Sequence, residues 1–495
     1  MTSPVTGFRD NPSIKHREVT TMGTNVTKGS RLAYEAIADI VERPSLSAEQ
    51  DNAPPEIDEV NKEYALTMWG GKAVVVHDDP GGAVQILSLD SHKAWFGNRR
   101  VRIADAAGNG KWLPLGVAWL AHPRRRQYAG VELYPNPDGS PGRENYLNLW
   151  RGFSVDASEQ GGYGVFKDHV FNNICDSDPA LYAYVFGWIA HMLQRPRYKL
   201  GTALVLRGRM GTGKSKLGEV VGSLIAPHYV QVDEGRYITG NFNSHMANCL
   251  LLQADEAVWA GDKAAEGRLK GLITSDVQLV EAKRVDPIRM PNYVHCIMTS
   301  NENWVVPAGV DERRFCVLDV HPRRAQDHAY FREMEEELNT GGRQRLLYDL
   351  LNFDLGSVNL RKIPKTKALL DQKLRSLDSV TSYWFSRLWD RSTTSESSDW
   401  LPQVPIETLF QDYVKAATQI GERRRQTKPQ FGESIIGLGA RRSRPSGKAE
   451  DGTSQRPYYY CFPPLARARQ AFEALLGQTV DWPIVSGDAF DDQVP

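Results

Sequence analysis

Short apolar runs separated by polar turns mark the middle of the chain. Five of these runs begin at Ala203, Tyr229, Cys249, His295 and Phe315. Continuous apolar runs of this length are typical of parallel strands that are covered on both faces. Because helical patterns lie between them, residues 200–325 are predicted to form a doubly wound α/β domain.

The pattern changes on both sides of this predicted core. Aromatic and apolar residues at helical spacing precede it, and basic residues with a short aromatic strand lie near the end of the chain. We therefore predict seven flanking segments: a polar arm (1–56), a small α/β module (57–151), a helical collar (152–199), a helical extension (326–391), a Ser/Thr-rich linker (392–399), a winged-helix-like DNA-binding domain (400–485) and an acidic tail (486–495).

Composition narrows the class of protein only slightly. The 495 residues include 60 basic and 60 acidic side chains, so net charge neither favours nor excludes a nucleic-acid partner. No apolar stretch approaches the ~20 residues that cross a bilayer, and the N-terminus lacks a signal-peptide core. The five widely spaced cysteines predict free thiols in a reducing compartment. We expect a cytoplasmic protein with no membrane partner.

One glycine-rich stretch carries a specific chemical signal. Gly208-Arg-Met-Gly211-Thr-Gly213-Lys214-Ser215 follows the first core strand and opens a helical pattern, and it matches the phosphate-binding loop at every defined position. The glycines allow backbone N–H groups to surround phosphate oxygens, Lys214 reaches the β- and γ-phosphates, and Ser215 offers a hydroxyl to Mg²⁺. The stretch predicts that the chain binds ATP with Mg²⁺.

Two later strands end in polar residues that belong beside this loop, because ligands of such sheets lie at the carboxyl ends of the strands. We predict that Asp255 binds the metal and that Glu256 activates the attacking water. The alternative is a pair of exposed acids at a strand end. Asn301 is predicted to bind the γ-phosphate or the water, although asparagine is also a common turn former.

Paired arginines precede the last core strand. Arg313 or Arg314, presented to the site of a neighbouring subunit, would stabilise the transition-state charge on the phosphate. A local salt bridge with Asp311 or Glu312 is the alternative for this pair.

These motifs, in this order, resemble the superfamily 3 helicases, which are ring-forming AAA+ ATPases of viruses and mobile elements. The helicase half of phage and plasmid primase-helicases is especially similar. The segment from Gly267 to Asp276 looks like the extra motif of that superfamily, and Asn301 matches its asparagine signature. By this likeness, Val277 to Pro287 form a hairpin that grips DNA, with Lys283 and Arg284 near its tip. An ordinary basic turn is the alternative.

The resemblance implies a hexameric, ATP- and Mg²⁺-dependent helicase that moves 3′ to 5′ on single-stranded and forked DNA. It also implies a role in replicating a phage or mobile element in the bacterial cytoplasm. The arm is too short for a primase domain, so we expect no primase activity and possible cooperation with a separate primase or polymerase. Two alternatives stay open: another AAA+ DNA motor for packaging or defence, and an initiator that uses ATP only as a switch. The Asp255–Glu256 pair favours ATP turnover.

Overall fold

The computed structural model describes residues 54–78, 84–104, 110–240, 243–256, 263–281, 286–421, 425–444 and 458–483. The predicted arm up to residue 53, the predicted acidic tail, and Lys283 and Arg284 lie outside these ranges. Within them, no helix has both the length and the apolar character that crossing a bilayer requires.

The first described part is a small mixed α/β unit. Its elements are α1 (Pro55–Glu63), β1 (Tyr64–Trp69), β2 (Lys72–His77), β3 (Gln85–Leu87), α2 (Leu89–Trp95), β4 (Arg100–Ala104), β5 (Gly110–Pro114), α3 (Leu115–Ala121), β6 (Gly130–Glu132) and β7 (Tyr146–Asn148). Strands β1, β2 and β3 form an antiparallel sheet, β4 pairs with β5, and β6 pairs in parallel with β7. The fully buried Trp69 and Trp119 lie in two separate apolar clusters of this unit.

The collar is helical but is not one continuous run. It contains α4 (Gly164–Asp168), a π-helical stretch (His169–Ile174) and α5 (Pro179–Gln194). Asp176 and Ser177 have positive φ angles, which an L-residue in a helix does not adopt, so they end the first helix. Asp178 caps α5 by accepting hydrogen bonds from two backbone N–H groups.

The core is α/β, as predicted. In chain order it contains β8 (Ala203–Arg207), α6 (Lys214–Ser223), a 3₁₀ turn (Ala226–His228), β9 (Tyr229–Val232), α7 (Arg236–Thr239), a 3₁₀ turn (Ser244–Met246), β10 (Leu251–Asp255), α8 (Lys263–Thr274), β11 (Val277–Val280), β12 (Ile288–Pro291), β13 (His295–Ser300) and β14 (Phe315–Asp319). Five strands form one parallel sheet in the order β14-β8-β13-β10-β9.

Side chains alternate between two buried faces of this sheet. Leu204 and Leu206 pack with α5 and α6 on one face, whereas Ala203 and Val205 pack with α8 on the other. Burial on both faces explains why the strands are continuously apolar in the sequence. It confirms the predicted five-stranded parallel sheet.

Strands β11 and β12 pair antiparallel, as the predicted hairpin requires, with Val277 opposite Pro291 and Val280 opposite Ile288. One face of the hairpin packs into the apolar cluster of the first unit, where Val280 and Met290 are buried with Trp69. The base of the hairpin is therefore held by packing.

The remaining elements are the 3₁₀ turn Pro322–Arg324, α9 (His328–Glu337), the π-helical stretch Leu338–Gly342, α10 (Arg343–Leu351), the 3₁₀ turn Leu355–Ser357, α11 (Lys367–Arg375), α12 (Ser379–Asp390), β15 (Gln403–Pro405), α13 (Ile406–Gln419), α14 (Lys428–Gly437), β16 (Arg441–Ser443), β17 (Tyr459–Cys461) and α15 (Leu465–Leu476). The last three strands form an antiparallel sheet in the order β15-β17-β16. Helices α12 to α15 share one apolar cluster with this sheet.

The segment 392–399 is packed, which corrects its prediction as a linker. Thr393 is fully buried, and the backbone N–H of Ser395 donates to the carboxylate of Asp412 at 3.0 Å. Because α12 belongs to the C-terminal apolar cluster, the boundary falls before Ser379. A Ser/Thr-rich composition alone did not reveal these tertiary contacts.

Candidate nucleotide-binding site

The glycine-rich stretch forms a tight loop between β8 and α6. Gly211 and Gly213 have φ angles of 76° and 83°, which favour glycine. A Cβ on Gly213 would also collide with the rings of His169 and Phe331. Gly213 is therefore required both by backbone conformation and by packing from the collar and α9.

Lys214 is buried and joins the loop to a neighbouring strand. Its Nζ donates to the carbonyl oxygens of Gly208 at 2.9 Å and Arg209 at 2.8 Å, and to Oδ1 of Asn301 at 2.7 Å. Burial lowers the pKa of Lys214 from its usual value, an effect that the nearby Glu256 carboxylate opposes. The structure thus brings together the predicted lysine and the predicted asparagine.

Asp255 lies at the end of β10 and is held by four polar side chains. Its Oδ1 accepts from Thr299 at 2.7 Å and from Ser215 at 3.3 Å, and its Oδ2 accepts from Gln231 at 2.6 Å. Gln253 also donates to both carboxylate oxygens. These contacts fix the carboxylate beside the first turn of α6.

Glu256 has a φ of 54°, a conformation that non-glycine residues seldom adopt and that is frequent at functional sites. Its backbone N–H donates to the carbonyl of Thr299 at 2.9 Å. Its carboxylate accepts from the amide of Asn301. Lys214, Asn301 and Glu256 therefore form a continuous hydrogen-bonded chain across the ends of β8, β13 and β10.

These groups line an open cleft of about 440 Å³. Its other walls include Met210 of the loop, and Gln326, His328 and Phe331, which the sequence analysis did not identify. Gln326 donates from its backbone N–H to the carbonyl of Gly211 at 3.0 Å. Because Gln326, His328 and Phe331 follow the loop by more than a hundred positions, no local pattern connects them with it.

His169 is a second feature that the motifs did not indicate. Its ring contacts the carbonyl of Gly213 at 3.1 Å through Nε2, and its Nδ1 lies 3.0 Å from the amide of Asn173. Burial lowers the pKa of His169 from its usual value, so the neutral ring is favoured at neutral pH. His169 supports the loop from the collar.

The donor set fits a magnesium ion. Oxygen ligands are what Mg²⁺ prefers, and the Ser215 hydroxyl and the Asp255 carboxylate lie 3.3 Å apart at the loop. Three neighbouring donors already orient the carboxylate, as supporting partners of metal ligands do. Among the described residues there is no cluster of three or more His, Cys, Asp or Glu side chains with metal-binding geometry.

The paired arginines lie at the opposite edge of the sheet. The N–H of Ala203, the first residue of β8, donates to the carbonyl of Arg314 at 2.7 Å, so the pair is five residues from the loop, roughly 16 Å along the strand. Arg314 forms the alternative salt bridge, with Glu312 at 3.5 Å. Within the described ranges, the Arg313 side chain is exposed and has no hydrogen-bond or ion-pair partner.

Comparison with known proteins agrees with this architecture. A family described as "Family of unknown function (DUF5906)" matches residues 206–314, which contain the loop, Asp255, Glu256 and Asn301. The chain is also similar to the DNA primase-polymerase of Nitratiruptor phage NrS-1, with 23% identity over 226 residues, which is 43% of this chain and 31% of that protein.

Solved structures of the C-terminal region of NrS-1 have a similar fold. The apo structure of its residues 305–718 has a TM-score of 0.59 at 14% identity and covers 83% of this chain and 100% of that one. An A-form apo structure of the same region has a TM-score of 0.57 at 15% identity and covers 82% and 98%. At these identities the likeness establishes the fold, and the sequence match spans less than a third of the phage protein.

Proposed function

We propose that the chain is an ATP-hydrolysing DNA helicase of the superfamily 3 type that acts in phage DNA replication. The observation that carries this proposal is the hydrogen-bonded chain from Lys214 through Asn301 to Glu256. It joins a phosphate-binding lysine to a carboxylate that is suited to activate water. A protein that only binds ATP has no need of the second group.

In this proposal the loop holds the triphosphate. Its N–H groups and the N-terminus of α6 face the β-phosphate, and the ammonium of Lys214 neutralises charge on the β- and γ-phosphates. Magnesium, held by Ser215 and Asp255, would screen the remaining phosphate charge. Because ATP offers Lys214 stronger acceptors than the carbonyls of Gly208 and Arg209, the lysine exchanges these contacts on binding.

Glu256 acts as the general base. It accepts a proton from the water that attacks the γ-phosphorus, while the bond from that phosphorus to the bridging oxygen breaks and ADP leaves. Asn301 contacts Glu256 and Lys214 simultaneously. A γ-phosphate that binds its amide would therefore change the hydrogen bonds of both groups. Hydrolysis would change the hydrogen bonds of this amide first.

A neighbouring subunit supplies the remaining positive charge. Arg313 is the better candidate for this role, because Arg314 is already paired with Glu312. A head-to-tail arrangement that closes into a hexameric ring places the arginine edge of one copy against the loop edge of the next. The proposed contacts to single-stranded and forked DNA are Lys283 and Arg284, which lie outside the described residues, and the C-terminal domain.

Template-dependent nucleotide polymerisation is the second candidate, favoured by the name of the NrS-1 relative. Polymerases position two metal ions with several carboxylates. In the described nucleotide cleft, Asp255 is the carboxylate that lies against the loop serine. Because the described cleft combines this carboxylate with the loop lysine and its hydrogen-bonded chain to Glu256, we assign the motor rather than polymerisation to this chain.

Strand separation on a labelled fork tests the proposal. The purified chain should release the labelled strand with ATP and Mg²⁺ but not with a non-hydrolysable ATP analogue. A parallel reaction with template, primer and deoxynucleotides reports polymerisation. Extension of the primer without any ATP-dependent strand release would show that the chain is a polymerase and not a helicase.

A further inference from the structure

A second large cavity lies at the amino edge of the parallel sheet, away from the nucleotide cleft. Its volume is about 680 Å³, within the ~300–1,000 Å³ range of ligand sites. It is formed where the first unit, the end of α5, the start of β11 and the segment after α10 meet. Asp276, the last residue of the extra motif in the sequence, is part of its lining.

The lining of this cavity is predominantly basic. Four cationic side chains and two carboxylates line it, together with one imidazole, one phenol and one amide. The charged lining residues are Arg195, Arg197, Lys199, Arg361, Asp138 and Asp276. Positive potential concentrated in a concave site favours a phosphate-bearing ligand.

Two of the four cations are committed to the protein. Arg197 donates to Asp138 at 2.9 Å, and Lys199 donates to the carbonyl of Leu272 at 2.6 Å. By contrast, Arg195 and Arg361 are exposed, and the described structure gives their side chains no hydrogen bond or ion pair. The cavity therefore has two structural cations in its wall and two that are available to a ligand.

Two further groups indicate that the ligand carries more than phosphate. Tyr198 lines the cavity and is 66% exposed, which leaves its ring open to stacking with a base. His191 is only 9% exposed and lines the same wall, and its Nδ1 lacks a partner among the described residues. A buried ring nitrogen without a partner is unusual unless a ligand or water completes it.

We propose that this cavity binds the sugar-phosphate backbone of single-stranded DNA, with Arg195 and Arg361 on the phosphates and Tyr198 against a base. The choice of a strand over a free nucleotide rests on the proposed function, since Asp276 in the cavity wall directly precedes hairpin strand β11. A strand that contacts the hairpin then passes the cavity. The site gives the chain a second grip on DNA at the base of the hairpin.

Equilibrium binding of labelled oligothymidylate tests this site in the absence of ATP, across a series of salt concentrations. Arg195→Gln with Arg361→Gln should weaken binding by about tenfold and make the slope of log K against log salt shallower by about 1.4. Lys362→Gln removes the same charge from the residue next to Arg361 but outside the cavity wall, and it should bind like the wild type. Tyr198→Leu should lower affinity without changing the salt slope.

Unchanged affinity and slope in the double variant would overturn the proposal, as would an equal loss in Lys362→Gln. Calorimetry with thymidine monophosphate tests whether the cavity binds a free nucleotide rather than a DNA strand. The protein carries Lys214→Ala so that the nucleotide cleft does not contribute to binding. Mononucleotide binding that requires Arg195 and Arg361, combined with wild-type DNA affinity, would assign the cavity to a free nucleotide instead. If the double variant loses DNA affinity but the wild-type chain hydrolyses no ATP, the cavity is still a DNA site and the proposed motor function is wrong.

Discussion

The two edges of the parallel sheet are built differently. At the carboxyl edge, Lys214, Asn301 and Glu256 hold one another, and Asp255 accepts hydrogen bonds from four neighbouring side chains. At the amino edge, Arg313 and Arg361 extend from the surface without a partner in the described structure.

The difference between fixed and unpartnered side chains indicates which molecule each edge acts on. Groups that must act on a bound phosphate within one chain are preorganised, because fixed dipoles stabilise a transition state without reorganisation. Charges that must act on another molecule stay free until that molecule arrives. In the proposed function, the carboxyl edge is therefore the half of the site that one chain supplies, and the amino edge would offer charges to a neighbouring copy and to DNA.

Lys214→Ala tests the carboxyl edge most severely. Loss of the ammonium removes the charge proposed to face the β- and γ-phosphates and releases Asn301 from its hydrogen bond. ATP hydrolysis, measured as phosphate release, should fall by at least about 10³-fold. Hydrolysis at the wild-type rate would show that the loop does not bind the phosphates of the hydrolysed ATP.

Arg313→Ala tests the amino edge. Loss of a guanidinium that completes a neighbour's site should lower the hydrolysis rate by about 10³-fold while ATP binding to each chain is kept. The matched variant is Arg314→Ala, which removes the contact with the buried Glu312 carboxylate and should cost about 1–3 kcal/mol of unfolding free energy. If Arg314→Ala abolishes hydrolysis and Arg313→Ala does not, the assignment of the two arginines is reversed.

Glu256→Gln separates binding from chemistry within the carboxyl edge. The amide keeps the shape of the side chain but is a poor proton acceptor, so hydrolysis should fall by about 10²-fold with ATP affinity retained. Glu219→Gln is the control, because Glu219 lines the same cleft but pairs with Lys216. If Glu256→Gln hydrolyses ATP at the wild-type rate, another residue is the general base.

Gly218→Ala probes the support behind Asp255. A Cβ at this position of α6 would overlap the amide oxygen of Gln253, which donates to Asp255 through its nitrogen. Overpacking of this kind costs about 1–3 kcal/mol in the free energy of unfolding, measured by denaturant titration. Gly271→Ala on α8 meets open space and should be neutral or slightly stabilising, so equal losses in both variants would contradict this packing.

The sequence predicted the core well because its strands and its loop are each determined by a short continuous stretch of residues. The apolar runs became five parallel strands, and the glycine-lysine pattern became a loop between β8 and α6. The side chains around the site were harder to find. Gln231 and Thr299 reach Asp255 only because the strand order places β9 and β13 on either side of β10.

Contacts between distant segments account for the remaining differences. His169 and Phe331 meet at Gly213 from opposite ends of the core, and no spacing rule connects them. Ser/Thr-rich residues 392–399 pack because the carboxylate of Asp412 lies beside them. A polar residue inside an apolar strand, such as Gln231 in β9, is the one signal that would have extended the predicted site.

Hydrolysis by a mixture of two inactive variants tests most directly that the two edges form one site between copies. Protein with Lys214→Ala retains Arg313, and protein with Arg313→Ala retains the loop. When equal amounts are mixed and allowed to exchange, roughly a quarter of head-to-tail interfaces regain both halves. We expect phosphate release to return to a comparable fraction of the wild-type rate, whereas a mixture that exchanges subunits and stays inactive would contradict a site shared between copies.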